Sequence, residues 1–110
     1  MLQLQPTRFP VPESEIAFFN IEYKICYLYS TSGRRHPLNT TLEFLELILD
    51  PKLFYRANRK TILKKEATVR YTPISSRKLV VETVVPSNQP ITIPKAKVSR
   101  FKKWLRAAAM

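Results

Sequence analysis

Glycine is almost missing from this chain: Gly33 is the only one in 110 residues, and a phosphate-binding loop built on repeated glycines is therefore excluded. Cys26 is likewise the single cysteine and His36 the single histidine. No disulfide framework can form, and no zinc site of the usual cysteine and histidine spacings can be assembled. Cys26 sits in an apolar run and His36 beside Pro37, which suits an inert thiol and a surface imidazole better than a catalytic pair. Glu13 and Glu15 lack the helical spacing that would pair their carboxylates. Neither an enzyme nor a cofactor or metal site is expected. No apolar run approaches the roughly 18 residues of a membrane span, and the N-terminus has neither the basic nor the apolar region of a secretory signal. The expectation is a cytoplasmic chain that does not enter a membrane.

Acid is scarce as well. Asp and Glu number 8 against 19 Lys and Arg, for a net charge of +11. The imbalance is uneven: residues 1–51 hold 4 basic and 6 acidic side chains, residues 52–110 hold 15 and 2. Such a gradient costs self-repulsion unless solvent or a polyanion relieves it, and it points to an acidic or nucleic-acid partner. The hydrophobic content of 45% and charged content of 25% are those of a globular chain. At this length one domain buries roughly two thirds of its unfolded surface.

Residues 1–12 are read as a linker or edge strand, since Pro6, Pro10 and Pro12 disfavour a central strand. Residues 13–106 form the domain and 107–110 a tail. Two apolar runs, Ile16 to Ile21 and Lys24 to Tyr29, read as antiparallel strands, and a turn at Thr31 to Arg34 holds Gly33. Both parities are apolar in Ile25 to Tyr29. That strand is either covered on both faces or lined by tyrosines on one. Thr40 and Glu43 make a capping-box pattern for a helix that lays Leu42, Leu45 and Leu49 on a sheet, reinforced by Phe44 and Ile48, until Asp50-Pro51 ends it. Glu43 and Glu46 mark that helix as scaffold. Later strands are expected around Ala67 to Tyr71, with Val69 inward, at Leu79 to Val85 and at Ile91 to Ile93, with a bend at Ser75-Ser76. Pro94 opens a closing helix whose stripe is Val98, Phe101 and Leu105, flanked by Trp104 and surrounded by cations.

Between these lies the densest positive stretch, Phe54 to Leu63 with Lys64 and Lys65. Arg56, Arg59, Lys60, Lys64 and Lys65 follow one another without an acid until Glu66. Asn58 and Arg59 are the types that read adenine and guanine edges. Neighbours on a strand point to opposite faces, so both can read bases only from a loop or irregular segment.

The order and spacing of several motifs resemble the LytTR-type DNA-binding domain, the output module of many bacterial response regulators. The likeness runs from about Ile16 to Leu105. It rests on an I-x-F-F entry at Ile16–Phe19, the turn at Thr31–Gly33, a t-L-x-x-L-E-x-x-L-x-P helix at Thr41–Pro51, F-Y-R-x-x-R-K-x-I-L at Phe54–Leu63, and V-x-x-F-K-K-W-L at Val98–Leu105. The resemblance implies a mainly β fold of small antiparallel sheets with one short central helix and a C-terminal helix. It implies binding of duplex DNA through loops in successive major grooves, as the output of a transcriptional response regulator. Carried over residue by residue, the family's R-x-H-R-S segment falls on Arg56 to Lys60 and offers Asn58, Arg59 and Lys60. A late contact arginine aligns with Lys95, since Ser99-Arg100 lies too far along, and a third contact region maps near Lys24. Lys95 lacks the planar fork of an arginine. Leu63-Lys64 stands where the family usually has V-N. The candidate DNA-binding set is Lys24, Arg56, Asn58, Arg59, Lys60, Lys64, Lys95 and Lys97.

The implied partners are duplex DNA and, beyond these residues, a receiver domain with its histidine kinase. The chain is then an excised fragment or a single-domain member, and a dimer on DNA stays open. Two other readings stand beside this one. An RNA- or single-strand-binding β domain would use Phe19, Tyr27 and Tyr29 as stacking platforms, and a basic protein-interaction module would take an acidic partner.

Overall fold

The computed structural model describes residues 9–74 and 77–107. Five strands make one antiparallel sheet: β1 (Ile16–Glu22), β2 (Ile25–Ser30), β3 (Arg35–Leu38), β4 (Phe54–Asn58) and β5 (Thr61–Lys64), in the order β3-β2-β1-β5-β4. Helix α1 (Leu42–Ile48) connects β3 to β4. A second antiparallel sheet follows, β6 (Thr68–Pro73), β7 (Leu79–Thr83) and β8 (Ile91–Ile93), in chain order, and α2 (Val98–Arg106) closes the chain. The expected class, mainly β with one short central helix and a C-terminal helix, is the class observed.

The five-stranded sheet is buried on both faces. Ile16, Phe19, Cys26, Leu28 and Ile62 pack under Leu42 and Leu45 of α1, while Ala17, Phe18, Tyr29 and Leu63 pack against the second sheet and Phe101 of α2. A register shift between Ile16 and Phe18 sets Ala17 and Phe18 on one face and Phe19 on the other. The question left open at Ile25 to Tyr29 is thereby answered. Cys26 and Leu28 face α1, Tyr27 and Tyr29 face the second sheet, and Tyr29 stacks on Phe18 at 4.3 Å between ring centroids. Burial pushes the Cys26 thiol up to about 11, so it stays protonated and unreactive.

Several expectations need correction. Thr41, not Thr40, caps α1, accepting from the Phe44 amide at 3.1 Å. The seven-residue helix is too short to bury its second turn. Phe44 and Ile48 are each 42% exposed, and Leu49 is the extended C-cap. Val69 is 49% exposed because the register shift between Thr68 and Arg70 takes it out of the alternation. Residues 9–12 make no strand; Phe9 and Val11 pack on the α1 side, with Phe9 5.5 Å from the Phe19 ring. The bend at Ser75-Ser76 and most of the 1–12 and 107–110 segments lie outside the described residues.

Candidate nucleic-acid interface

The long cationic stretch is not one strand but a hairpin. Asn58 pairs with Thr61, leaving Arg59-Lys60 as a two-residue turn, and a register shift between Arg56 and Asn58 places an irregularity at Ala57. The turn has no glycine. Its shape comes from the Asn58 side chain, whose Oδ1 accepts the Lys60 amide at 2.8 Å while its Nδ2 donates to the Thr92 carbonyl of β8 at 2.7 Å. One amide therefore sets the turn and ties it to the second sheet. The Lys60 carbonyl also accepts from the Ile21 amide at 2.8 Å, which fixes the tip to β1.

Arg56 braces the same turn from below. Its Nε donates to the Asn58 carbonyl and its Nη2 to the Arg59 carbonyl, both at 2.7 Å. Its Nη1 meets Glu46 at 2.7 Å and its Nη2 meets Glu43 at 3.4 Å. Lys97 donates to the Arg56 carbonyl at 2.7 Å and lies 5.6 Å from the Tyr55 ring centre. Burial, aided by the Arg56 charge, holds the Lys97 ammonium below its usual pKa.

The candidates thus separate. Arg59 and Lys60 are exposed, and neither side chain has a hydrogen-bond or ion-pair partner among the described residues. Arg56, Asn58 and Lys97 direct their side chains into the hydrogen bonds that hold the turn. Lys64 is 2% exposed, donates to the Glu13 carbonyl and lies 3.4 Å from Glu66, so its ammonium faces inward. Lys95 is exposed in the single turn Lys95–Lys97 before α2.

Lys24 stands on a second hairpin turn at the same end of the sheet. Glu22 pairs with Ile25, so Tyr23-Lys24 forms the β1–β2 turn, with left-handed φ values of 52° and 67°. That turn type matches the twist of the strands and ordinarily takes Asn-Gly. A groove between the two turns is lined by Lys24, Lys60, Thr61, Asn88 and Gln89. A neighbouring groove is lined by Arg59, Lys60, Lys78 and Lys97. Sequence reasoning missed the contribution of Asn88, Gln89 and Lys78.

Glu22 locks this end together. Its carboxylate accepts from Asn20 at 3.0 Å, Arg35 at 2.6 Å, Asn88 at 3.1 Å and the Tyr29 hydroxyl, and Asn20 in turn accepts from Thr61 at 2.8 Å. Burial pushes the Glu22 pKa up, but the bonds from Tyr29, Asn20 and Arg35 together outweigh it and hold the group lower than usual. Tyr23 stands exposed beside Lys24, but the three aromatics expected as single-strand stacking platforms are not on offer. Phe19 and Tyr29 are buried, and the Arg35 guanidinium covers Tyr27 at 4.2 Å.

Comparison with known proteins gives the family and the fold. No curated protein matches the chain. Among solved structures, it is similar to the LytTr DNA-binding domain of a Bacillus cereus protein described as a methyl-accepting/DNA response regulator. The TM-score is 0.75 at 18% identity, over 90% of this chain and 88% of that one, a likeness that shows the fold. The family profile of the LytTr DNA-binding domain matches residues 7–106. With that match spanning both hairpin turns and α2, the chain belongs to the LytTr family, whose members are DNA-binding domains typical of response-regulator outputs, and not enzymes.

Proposed function

We propose that this domain binds duplex DNA sequence-specifically, as the output element of a transcriptional response regulator. The observation that carries this reading is the pair of hairpin turns at one end of the sheet, which hold Lys24, Arg59 and Lys60 outward without acidic partners among the described residues. Arg59 is the base reader, because an arginine fork matches the two acceptors of a guanine edge in the major groove. Lys24, Lys60 and Lys95 neutralise phosphates and set register. Arg56, Asn58 and Lys97 hold the turn in place, which spares the DNA complex the entropy of ordering it. A receiver domain acting upstream, and pairing of two copies on DNA, are parts of this proposal.

Fluorescence anisotropy across a salt series tests the reading, with a duplex, its single strand and a matched RNA as probes. Neutralising six or more phosphates makes duplex affinity fall by roughly a thousandfold or more between about 50 and 200 mM salt. Equal affinity for all three probes, or a flat salt response, would reject it.

A further inference from the structure

α2 contains no acidic residue. Ser99, Lys102, Lys103 and Arg106 fall at i, i+3, i+4 and i+7 and so share one face of the helix. That face forms a concavity with Lys95 at the helix entry and Arg77 from the β6–β7 turn. Five cations thus line one surface, with no acid in its walls and no ion-pair partner among the described residues. Arg77 has a left-handed backbone, φ 63°, next to Lys78, whose carbonyl accepts from the Ile74 amide at 2.8 Å. Lys102 lies 5.5 Å from the Tyr71 ring centre, and Lys103 and Arg106 are exposed.

This concavity continues the hairpin grooves. Arg77 adjoins Lys78, and Lys95 is two residues from Lys97; Lys78 and Lys97 both line the groove beneath Arg59. We propose that the outer face of α2 is a second, sequence-independent phosphate site. It follows the duplex backbone beyond the segment that the hairpin turns read. The proposal rests on the duplex-binding reading above and extends it to Arg77, Lys102, Lys103 and Arg106.

An acidic protein fits the surface less well. Protein interfaces have an apolar or aromatic centre, and here the one apolar side chain among the cations is Val98, half-buried, beside Ser99. The dimensions suit a backbone instead. From Lys95 to Arg106 the chain advances about 16 Å at helical rise, and one strand offers a phosphate about every 3.4 Å of duplex axis. Several phosphates therefore pass along the face.

The test compares two charge-matched doubles with the parent, using anisotropy on a randomised 30-base-pair duplex and on a duplex enriched from that pool by the parent. Lys103→Gln with Arg106→Gln removes two cations from the face. Arg34→Gln with Lys52→Gln removes two exposed cations from the far end of the sheet. The α2 double is expected to flatten the log-affinity against log-salt slope by nearly 2, about a tenfold difference accumulated between 50 and 200 mM salt. It should weaken both probes equally, keeping their ratio, while the control keeps the parental slope. Identical slopes for the α2 double and the parent would overturn the proposal, as would a selective loss on the enriched duplex. Should the helix double fail to fold by circular dichroism, Arg77→Gln on the opposite wall reads one contact, with a slope change of about 0.9. If the parent itself shows no salt-sensitive duplex binding, the duplex reading falls and this inference with it; a steep parent with an unchanged double sinks only the inference.

Discussion

Arg56 and Arg59 lie three residues apart on one hairpin, carry the same charge, and have opposite surroundings. Arg56 is enclosed, with two backbone carbonyls and two glutamates around its guanidinium. Arg59 stands at the tip with none of these. The stem cation holds the backbone from which the tip cation is presented. Charge density along the sequence therefore overstates the binding surface, since Arg56, Lys64 and Lys97 serve as internal donors.

The largest effect is expected from Arg56→Ala. Two carbonyls and two acids lose a donor at once, and hydrogen bonds to a charged group are worth about 1.5–3 kcal/mol, so urea unfolding should show a loss of about 2–3 kcal/mol together with weaker duplex binding. A parental melt would erase the distinction between stem and tip. Arg59→Ala should do the reverse, leaving stability within about 0.5 kcal/mol while lowering affinity for the enriched duplex by about 1–3 kcal/mol, the worth of one good base contact. If Arg59→Ala treated enriched and random duplexes as the parent does, the tip would not be the reader.

Lys64→Met sharpens the comparison from the buried side. The apolar stem is kept, and the loss of a charge-assisted hydrogen bond and of the Glu66 ion pair is offset by relief of a buried ammonium, so the cost should stay below about 1.5 kcal/mol, with a salt slope equal to the parent's. A flattened slope would return Lys64 to the DNA surface. The smallest effect is a pH dependence at the groove floor. Glu22 has a depressed folded pKa, so its contribution is present above the unfolded carboxylate value and is lost as pH falls through the folded one. Denaturant melts should lose stability on acidification, and less so in Glu22→Gln.

Much of the fold was legible because its signals are local. Apolar runs, the turn at Gly33, the acidic helix ended by Asp50-Pro51 and the basic amphipathic helix all read correctly from period and composition. The hairpin at Arg59-Lys60 was not legible as a turn. It carries no glycine or proline, and its determinants are a side-chain bond within Asn58-Arg59-Lys60 and a guanidinium in the stem. The requirement that Asn58 and Arg59 occupy an irregular segment was readable from strand geometry, and an irregular segment is what they occupy. Which cations are free could not be read. The acidic partners of Arg56 lie 10 and 13 residues away on α1, and the carbonyl that accepts from Lys64 is 51 residues away. Glu43 and Glu46 looked like scaffold and are scaffold, by holding the arginine that braces the tip.

The Tyr23-Lys24 turn has a consequence for how this domain can change. Two side-chain-bearing residues occupy left-handed backbone there, a conformation costing about 1–2 kcal/mol for each residue that has a Cβ. Glycine at position 24 would relieve that strain and remove a cation from the groove in one step. Thermal robustness and grip on a polyanion thus pull in opposite directions at a single codon, and a search for sturdier variants of this domain would find weaker binders there first.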